Sequence, residues 1–397
     1  MSGTWIEVEL DAVVGNYQEI VNHLRPEARC MAVVKADAYG LGAIEVARAL
    51  QGAGCDAFAV TRVEEGLILR EHGIRGVILV LGPTVKEEWP RAIAAQLHLS
   101  ISELSWIAEL NETYSELKLK SQVQVHIKLE TGMGRTGFQL SELESLAMSL
   151  AKAPNICVAG VYTHFARAAQ RDQRYTLGQY ERFRASTVRL EELGIYPPWK
   201  HVCNSAAFLD YPQWHHDFVR IGTLLIGHYP GQGFSGKLTL RDPWVAKSQI
   251  VHLRKVPKGT YVGYQSIYRT KDETQLAVIP VGYADGFGLE PHFTPRGWID
   301  FLKIIIKNFA ALFGFFLGQE RVKMKGRTVR VAGKIGMQLT VIDVGMQDCG
   351  LGDEVGIPLR RTVANPRIPR KYKQDGRILS ERTLEEGISL AYTEYPL

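Results

Sequence analysis

Eight short apolar runs recur between residues 30 and 225, and they constrain the fold more than any other feature. They are Cys30–Lys35, Ala57–Val60, Gly76–Leu81, Leu97–Ile101, Val123–Leu129, Val158–His164, His201–Asn204 and Phe218–Leu225. Each is too short for a buried helix and suits a strand covered on both faces. Segments with helical periodicity, such as Arg62–His72 and Leu177–Leu193, separate them. Strands alternating with helices predict an α/β architecture with a parallel sheet. A (β/α)8 barrel and a doubly wound open sheet both satisfy the count. One earlier strand is expected at Trp5–Leu10, with Asp11 capping the helix that follows. After about Ser235 the pattern changes to alternating segments, among them Ala246–Leu253, Gln275–Pro280, Arg327–Ala332, Gln338–Asp343 and Glu354–Ile357. The expected division is an α/β domain over 1–235 and a mostly β domain over 236–397.

Composition narrows the partners. The net charge is +5 over 397 residues, with Lys and Arg scattered, so no dense basic run argues for nucleic acid. The five cysteines include no CxxC pair and read as reduced thiols. Acidic residues stand near the N-terminus where an export signal needs an apolar core, so a cytoplasmic location is expected.

The chemistry gathers at strand ends. Cys30–Val34 runs straight into Lys35, and Gly40 and Gly42 are expected to turn the chain into a helix. The carboxyl end of a parallel strand is where such folds place reactive groups. A lysine shielded from water loses proton affinity, and its neutral amine condenses with aldehydes. Tyr39 follows four residues on, where its hydroxyl could reach a phosphate held by the turn. Further on stand Lys128, Glu130 and Arg135 in VHIKLETGMGR, His164 in GVYTHFA, Asn204 and Ser205 in HVCNSAA, and Arg220 in VRIG. The later half adds Tyr264 in VGYQ, the segment IPVGYADG, and Met337 in GKIGMQ.

VVKADAYGLG resembles the pyridoxal-phosphate lysine motif of alanine racemases, and the remaining segments match that family's motifs in unchanged order. The resemblance implies a (β/α)8 barrel followed by a C-terminal β domain. It implies pyridoxal 5'-phosphate on Lys35, with Tyr39, His164, Asn204, Ser205, Arg220, Gly222 and Thr223 around the cofactor. It also implies Arg135 and Met337 at the substrate, and Lys128 as the lysine that some members carry as a carbamate. No metal is implied. Lys35 and Tyr264 are the two bases implied for exchanging L- and D-alanine. In this family the tyrosine comes from the partner subunit of a homodimer, and the D-alanine supplies peptidoglycan. Departures are Glu130 for aspartate, Arg167-Ala168-Ala169 for T-A-D, Gln338 for aspartate and Pro366 for tyrosine. The last two leave open a serine or broader amino-acid racemase. A non-catalytic pyridoxal-phosphate homeostasis protein is the other alternative, and those usually lack the β domain.

One stretch has no counterpart in the family pattern. Residues 298–317 read WIDFLKIIIKNFAALFGFFL. At 100° per residue Asp300, Lys303 and Lys307 share a narrow face, and apolar side chains cover most of the remainder. An amphipathic helix is expected. It packs on its own β domain, packs across a dimer, or lies in a membrane surface with its lysines toward the headgroups.

Overall fold

In the computed structural model the apolar runs form one parallel sheet. The model describes residues 3–117, 122–170, 172–289, 297–312, 320–384 and 390–394. After β1 (Thr4–Glu9) come β2 (Arg29–Val33), β3 (Ala57–Val60), β4 (Val77–Val80) and β5 (His98–Ile101). They are followed by β6 (Val123–Lys128), β7 (Ile156–Tyr162), β8 (Trp199–His201) and β9 (Phe218–Ile221). The eight strands β2 to β9 lie in the order β8-β7-β6-β5-β4-β3-β2-β9, and every neighbouring pair is parallel. The two end strands meet. Asp217 N–H donates to the Lys200 carbonyl at 3.1 Å and Arg220 N–H to the Cys203 carbonyl at 2.9 Å. The sheet therefore comes round into a nearly closed barrel, with helices between successive strands.

The barrel interior has two halves. Met31, Val33, Ala57, Ala59, Leu79 and Phe218 form one buried apolar cluster, taken from alternate positions of β2, β3, β4 and β9. That alternation is the period of a strand, so these side chains share one face. Across from them β5 to β9 bring His98, Ser100, His126, Lys128, Tyr162, His201 and Arg220, polar groups that are hydrogen-bonded to one another, to carbonyls or, for Lys128, to the Thr136 hydroxyl.

The chain divides into two compact units, residues 10–243 and residues 1–9 with 244–397. A single cut at 235/236 misses the first strand. β1 pairs antiparallel with β10 (Trp244–Gln249) and parallel with the strand Arg370–Gln374. It thus belongs to an eleven-stranded, mostly antiparallel sheet. Both of its faces are covered there, since Thr4, Ile6 and Val8 on one side and Trp5 and Glu7 on the other are all buried.

Glu7 of β1 is buried there between two lysines. Lys373 Nζ lies 2.8 Å from Oε2 and Lys247 Nζ 3.0 Å from Oε1, and Trp5 Nε1–H donates at 3.1 Å. Burial alone would raise the carboxyl, but the donors from Lys373, Trp5 and Lys247 prevail and hold it down at about 2.

The apolar stretch forms the helix Trp298–Leu312. Residues 313–317 of the expected helix lie outside the described residues. Trp298, Ile299, Leu302, Ile305 and Ile306 are exposed, Trp298 to 83%. Of the three fates, packing on its own β domain is not the one these side chains adopt. No described helix is long and apolar enough to cross a membrane.

The Glu7 cluster predicts the acid limb of stability. Its folded value lies below the ordinary 4.5. Its contribution is complete above that pH and is lost progressively as pH falls toward about 2. Glu7→Gln should lower stability at neutral pH by about 1–3 kcal/mol and flatten the acid limb, as read by urea denaturation across that range.

Candidate active site

The chain leaves β2 in a conformation that few sequences adopt. Ala36, Asp37, Ala38 and Tyr39 have φ of 50°, 56°, 49° and 58°, and Gly40 follows at 91°. This is a left-handed turn built almost wholly from residues with a Cβ, at roughly 1–2 kcal/mol each. The turn is heavily tied. Ala38 N–H donates to the Val34 carbonyl at 2.9 Å, Gly40 N–H to that of Ala36 at 3.0 Å, and Gly42 N–H to that of Asp37 at 2.9 Å. Asp37 Oδ1 accepts from Ala43 N–H at 2.8 Å. Glu65 reaches in from the helix Val63–Glu71 that follows β3. Its Oε1 accepts from Ala36 N–H at 2.6 Å, and its Oε2 from Thr61 and Arg62 N–H at 2.9 and 3.0 Å. The turn begins four residues before Gly40, the first of the two glycines expected to make it, and Glu65 went unforeseen. The one available signal was a glutamate three residues after Arg62 at a helix start.

The turn sets Lys35 at the end of the strand and sends Tyr39 across to β9. A Cβ on Gly222 would lie 2.0 Å from the Tyr39 hydroxyl, so only glycine admits this contact. Burial pushes Tyr39 up to about 12, which keeps its O–H a donor. Gly222 N–H donates to Ser205 Oγ at 3.4 Å. Asn204 caps the helix Ser205–Asp210, its Oδ1 accepting from Ala206 and Ala207 N–H at 3.1 and 3.0 Å. Its Nδ2 donates to the Phe165 carbonyl at 3.4 Å. The Asn204 amide is therefore engaged with backbone, while the Thr223 carbonyl accepts from His228 N–H.

Arg220 is buried in β9. Nη1 donates to His201 Nδ1 at 2.9 Å and to the His201 carbonyl at 2.6 Å. Nη2 donates to the carbonyls of Thr163 at 2.6 Å and Val202 at 3.3 Å. Its Cζ stands 5.1 Å from the centre of the Tyr162 ring. Among the described residues these acceptors engage Nη1 and Nη2 and leave Nε–H over. Burial brings the guanidinium down to about 10, so it stays charged near neutral pH.

β6 delivers the third group. Glu130 gathers four consecutive backbone donors. Oε1 accepts from Gly132 and Met133 N–H at 2.5 and 2.6 Å, and Oε2 from Gly134 and Arg135 N–H at 3.0 and 3.2 Å. Burial pulls its carboxyl up, but the donors outweigh it and leave it below the ordinary value. This clamp shapes the loop carrying Arg135, whose side chain is exposed. Lys128 Nζ donates to Thr136 Oγ1 at 2.5 Å. Burial, then Arg135 and Arg220, bring Lys128 down to about 8. His164 is held down at about 3, first by burial and then by Arg220, Arg135, Lys128 and Lys35. One neutral imidazole thus faces four cations, which makes this mouth a site for an anion.

Tyr264 and Met337 belong to the other unit. Tyr264 is 72% exposed and opens a short turn in which Gln265 and Ser266 have φ of 61° and 53°. Lys334 Nζ donates to Gln265 Oε1 at 2.5 Å and fastens that turn. GYADG lies against the Met337 segment, with Tyr283 N–H donating to the Gly336 carbonyl and Ala284 N–H to that of Met337, both at 3.0 Å. A Cβ on Gly282 would meet those two carbonyl oxygens at 2.2 and 2.3 Å.

Comparison with known proteins agrees with this geometry. Residues 8–230 match the family model described as alanine racemase, N-terminal domain, and residues 244–368 the one described as alanine racemase, C-terminal domain. The chain is 35% identical over 393 residues to the alanine racemase of Clostridium tetani, covering 95% of this chain and 97% of that one. It is 34% identical over 358 residues to alanine racemase 1 of Caldanaerobacter subterraneus subsp. tengcongensis, covering 89% and 85%. The solved alanine racemase of Clostridium difficile 630 superposes with a TM-score of 0.85 at 30% identity, over 96% of this chain and 99% of that one. That of Bacillus anthracis with bound L-Ala-P gives 0.82 at 28% identity, over 96% and 97%.

The clamp on the left-handed turn is open to test. Glu65→Ala removes the acceptor of three N–H groups and should cost about 1–3 kcal/mol. Amide hydrogen exchange should quicken at Ala36, Thr61 and Arg62 and stay unchanged in β6.

Proposed function

Because the chain belongs to the alanine racemase family, we propose that it interconverts L- and D-alanine, using pyridoxal 5'-phosphate held at the carboxyl-terminal mouth of its barrel. The observation that carries this reading is the Arg220 Nε–H left over inside a barrel that satisfies the rest of the guanidinium. The donor set suits the cofactor. A buried cation stands ready for a ring nitrogen, and Tyr39 fills the space a Cβ on Gly222 would take. Ser205 and the N–H groups of Gly222 and Thr223 are suited to the phosphate. Asn204 supports them by capping the helix that begins at Ser205.

When bound, the cofactor supplies a conjugated ring that acidifies the Cα–H of an attached amino acid. Lys35 would hold the cofactor between turnovers and, with its amine free once substrate has taken its place, would move the proton on the D-alanine face. Tyr264 moves the proton on the opposite face, contributed by the partner subunit of a homodimer. Arg220 only donates, so it leaves the ring nitrogen unprotonated and the electron withdrawal modest. That favours return of the proton to Cα over side reactions. His164 stays neutral beside the ring and orients the tyrosine. Arg135 and the Met337 N–H hold the substrate carboxylate. Lys128, brought down to about 8, has a neutral fraction that can take up carbon dioxide as a carbamate and orient Arg135. The barrel unit of residues 10–243 binds the cofactor and the other unit supplies Tyr264 and Met337. The product D-alanine feeds peptidoglycan synthesis in the cytoplasm.

The exposed helix suits an anionic lipid surface. Ile299, Leu302, Ile305 and Ile306 offer apolar contact. Lys303 and Lys307 stand one turn apart beside them, on a chain of net charge +5. Peripheral contact of this kind leaves the barrel chemistry in water.

Lys35→Ala should abolish the visible absorbance of protein-bound cofactor after free cofactor is removed; an unchanged spectrum would place the cofactor elsewhere. Tyr264→Phe should lower turnover at least ~100-fold, the scale of a general base. Solvent deuterium should then enter L-alanine more slowly than D-alanine, and equal losses from both enantiomers would refute the division of faces. Full-length protein should co-sediment with phosphatidylglycerol vesicles, and Ile305→Asp with Ile306→Asp should release it. A well-folded wild-type chain that stays in the supernatant would end the lipid reading.

A further inference from the structure

The polar half of the barrel holds three histidines in file. His201 ends β8, His126 lies within β6 and His98 opens β5. His201 Nε2 is 2.9 Å from His126 Nδ1, and His126 Nε2 is 3.1 Å from His98 Nδ1. At the head of the file Arg220 Nη1 stands 2.9 Å from His201 Nδ1.

The cation fixes every proton in this file. Arginine has donors and no acceptor, so His201 Nδ1 is bare and its proton is on Nε2. That proton is given to His126 Nδ1, which puts the His126 proton on Nε2 in turn. The same step repeats at His98. All three rings are neutral Nε2–H tautomers, and every N–H points from Arg220 toward the amino-terminal mouth. The surroundings agree. Burial and then Arg220 hold His201 well below the ordinary histidine value. Burial and then His98 do so for His126. Burial and then Arg70 bring His98 to about 4.

The barrel is built around this file. The β6–β7 register shifts between Val125 and His126. Gly160 sits inside β7, where glycine weakens a strand, and a Cβ there would lie 2.5 Å from His126 Nδ1. Tyr162 stacks on His201 at 4.9 Å and 5°, and Trp199 on His98 at 5.9 Å and 18°. His98 reaches a cavity of about 380 Å³ that Asp56, Arg70, Gln122 and Gln124 also line, at the starts of the strands.

We propose that His126 and His98 are positioning residues for Arg220, acting through His201. Aligned hydrogen bonds polarise one another, so each ring makes the one before it a better acceptor. His201 Nδ1 then holds Nη1 firmly, and Nε–H stays aimed at the ring nitrogen. This role rests on the cofactor reading above; the direction of the file does not.

The test begins with the full-length chain, free of cofactor and labelled with 15N-histidine. Side-chain spectra should show His98, His126 and His201 as neutral Nε2–H tautomers from about pH 5 to about pH 9. An Nδ1–H tautomer or a cationic ring at any of the three in that range overturns the proposal. In His98→Phe the His201 Nε2–H resonance should move toward weaker hydrogen bonding although that residue touches neither His201 nor Arg220. In the loaded enzyme His98→Phe and His126→Phe should lower kcat about tenfold, near 1.4 kcal/mol, with KM for alanine unchanged. His126→Asn keeps an acceptor for His201 and should recover most of that loss. Folded Phe variants with wild-type kcat and an unmoved His201 resonance overturn it as well. The tautomer measurement needs no cofactor, so it stands or fails apart from the racemase reading.

Discussion

A guanidinium inside a barrel, held by carbonyl oxygens and an imidazole and by no carboxylate among the described residues, sets the terms for the rest of this structure. Burying a cation costs several kcal/mol unless acceptors surround it. Arg220 finds them in His201, Val202 and Thr163, residues at or just past the ends of β8 and β7. A carboxylate partner would have cancelled the charge. Carbonyl dipoles instead leave it in place, and its field reaches His164, Lys128, His126 and His201. The division of the interior follows. The β2 to β4 side can be aliphatic, while the side facing Arg220 must be polar and fully paired.

Carboxylates in this site serve the backbone. Glu65 and Glu130 each accept several main-chain N–H groups. Both therefore tie down loops that would otherwise carry unsatisfied donors beside a cationic cluster. The motif that this segment resembles has aspartate where this chain has Glu130, whose side chain spans all four donors from Gly132 to Arg135.

The strands were legible because a strand buried on both faces leaves a continuous apolar run; seven of the runs became strands of the barrel, while the run His201–Asn204 meets its strand, Trp199–His201, only at His201. Closure was not legible. It depends on two bonds between β8 and β9, and neither periodicity nor length encodes a meeting of end strands. Lys35 and Arg220 stood out through their motifs. The left-handed turn did not, since alanine and tyrosine carry no preference for that conformation. Asn204 matched a cofactor motif, yet its amide is occupied as a helix cap. The histidine file stayed hidden because its members lie 28 and 75 positions apart in sequence and only the barrel's curvature assembles them.

β1 has a consequence for how the chain is made. Its residues leave the ribosome before those of the barrel, but its partners are Trp244–Gln249 and Arg370–Gln374. Residues 10–243 form a unit with all its strands in hand once they are synthesised. Strand β1 must wait, unpaired, until Trp244–Gln249 emerges, and it is flanked on both sides only once Arg370–Gln374 follows; closing so long a loop adds entropy slowly but delays pairing. During translation the nascent chain thus carries a folded barrel preceded by an orphan strand, whose Ile6 and Val8 stay unburied for that interval. A chaperone that shields short β segments would find its target there, and a truncated product ending before residue 244 would keep it for good.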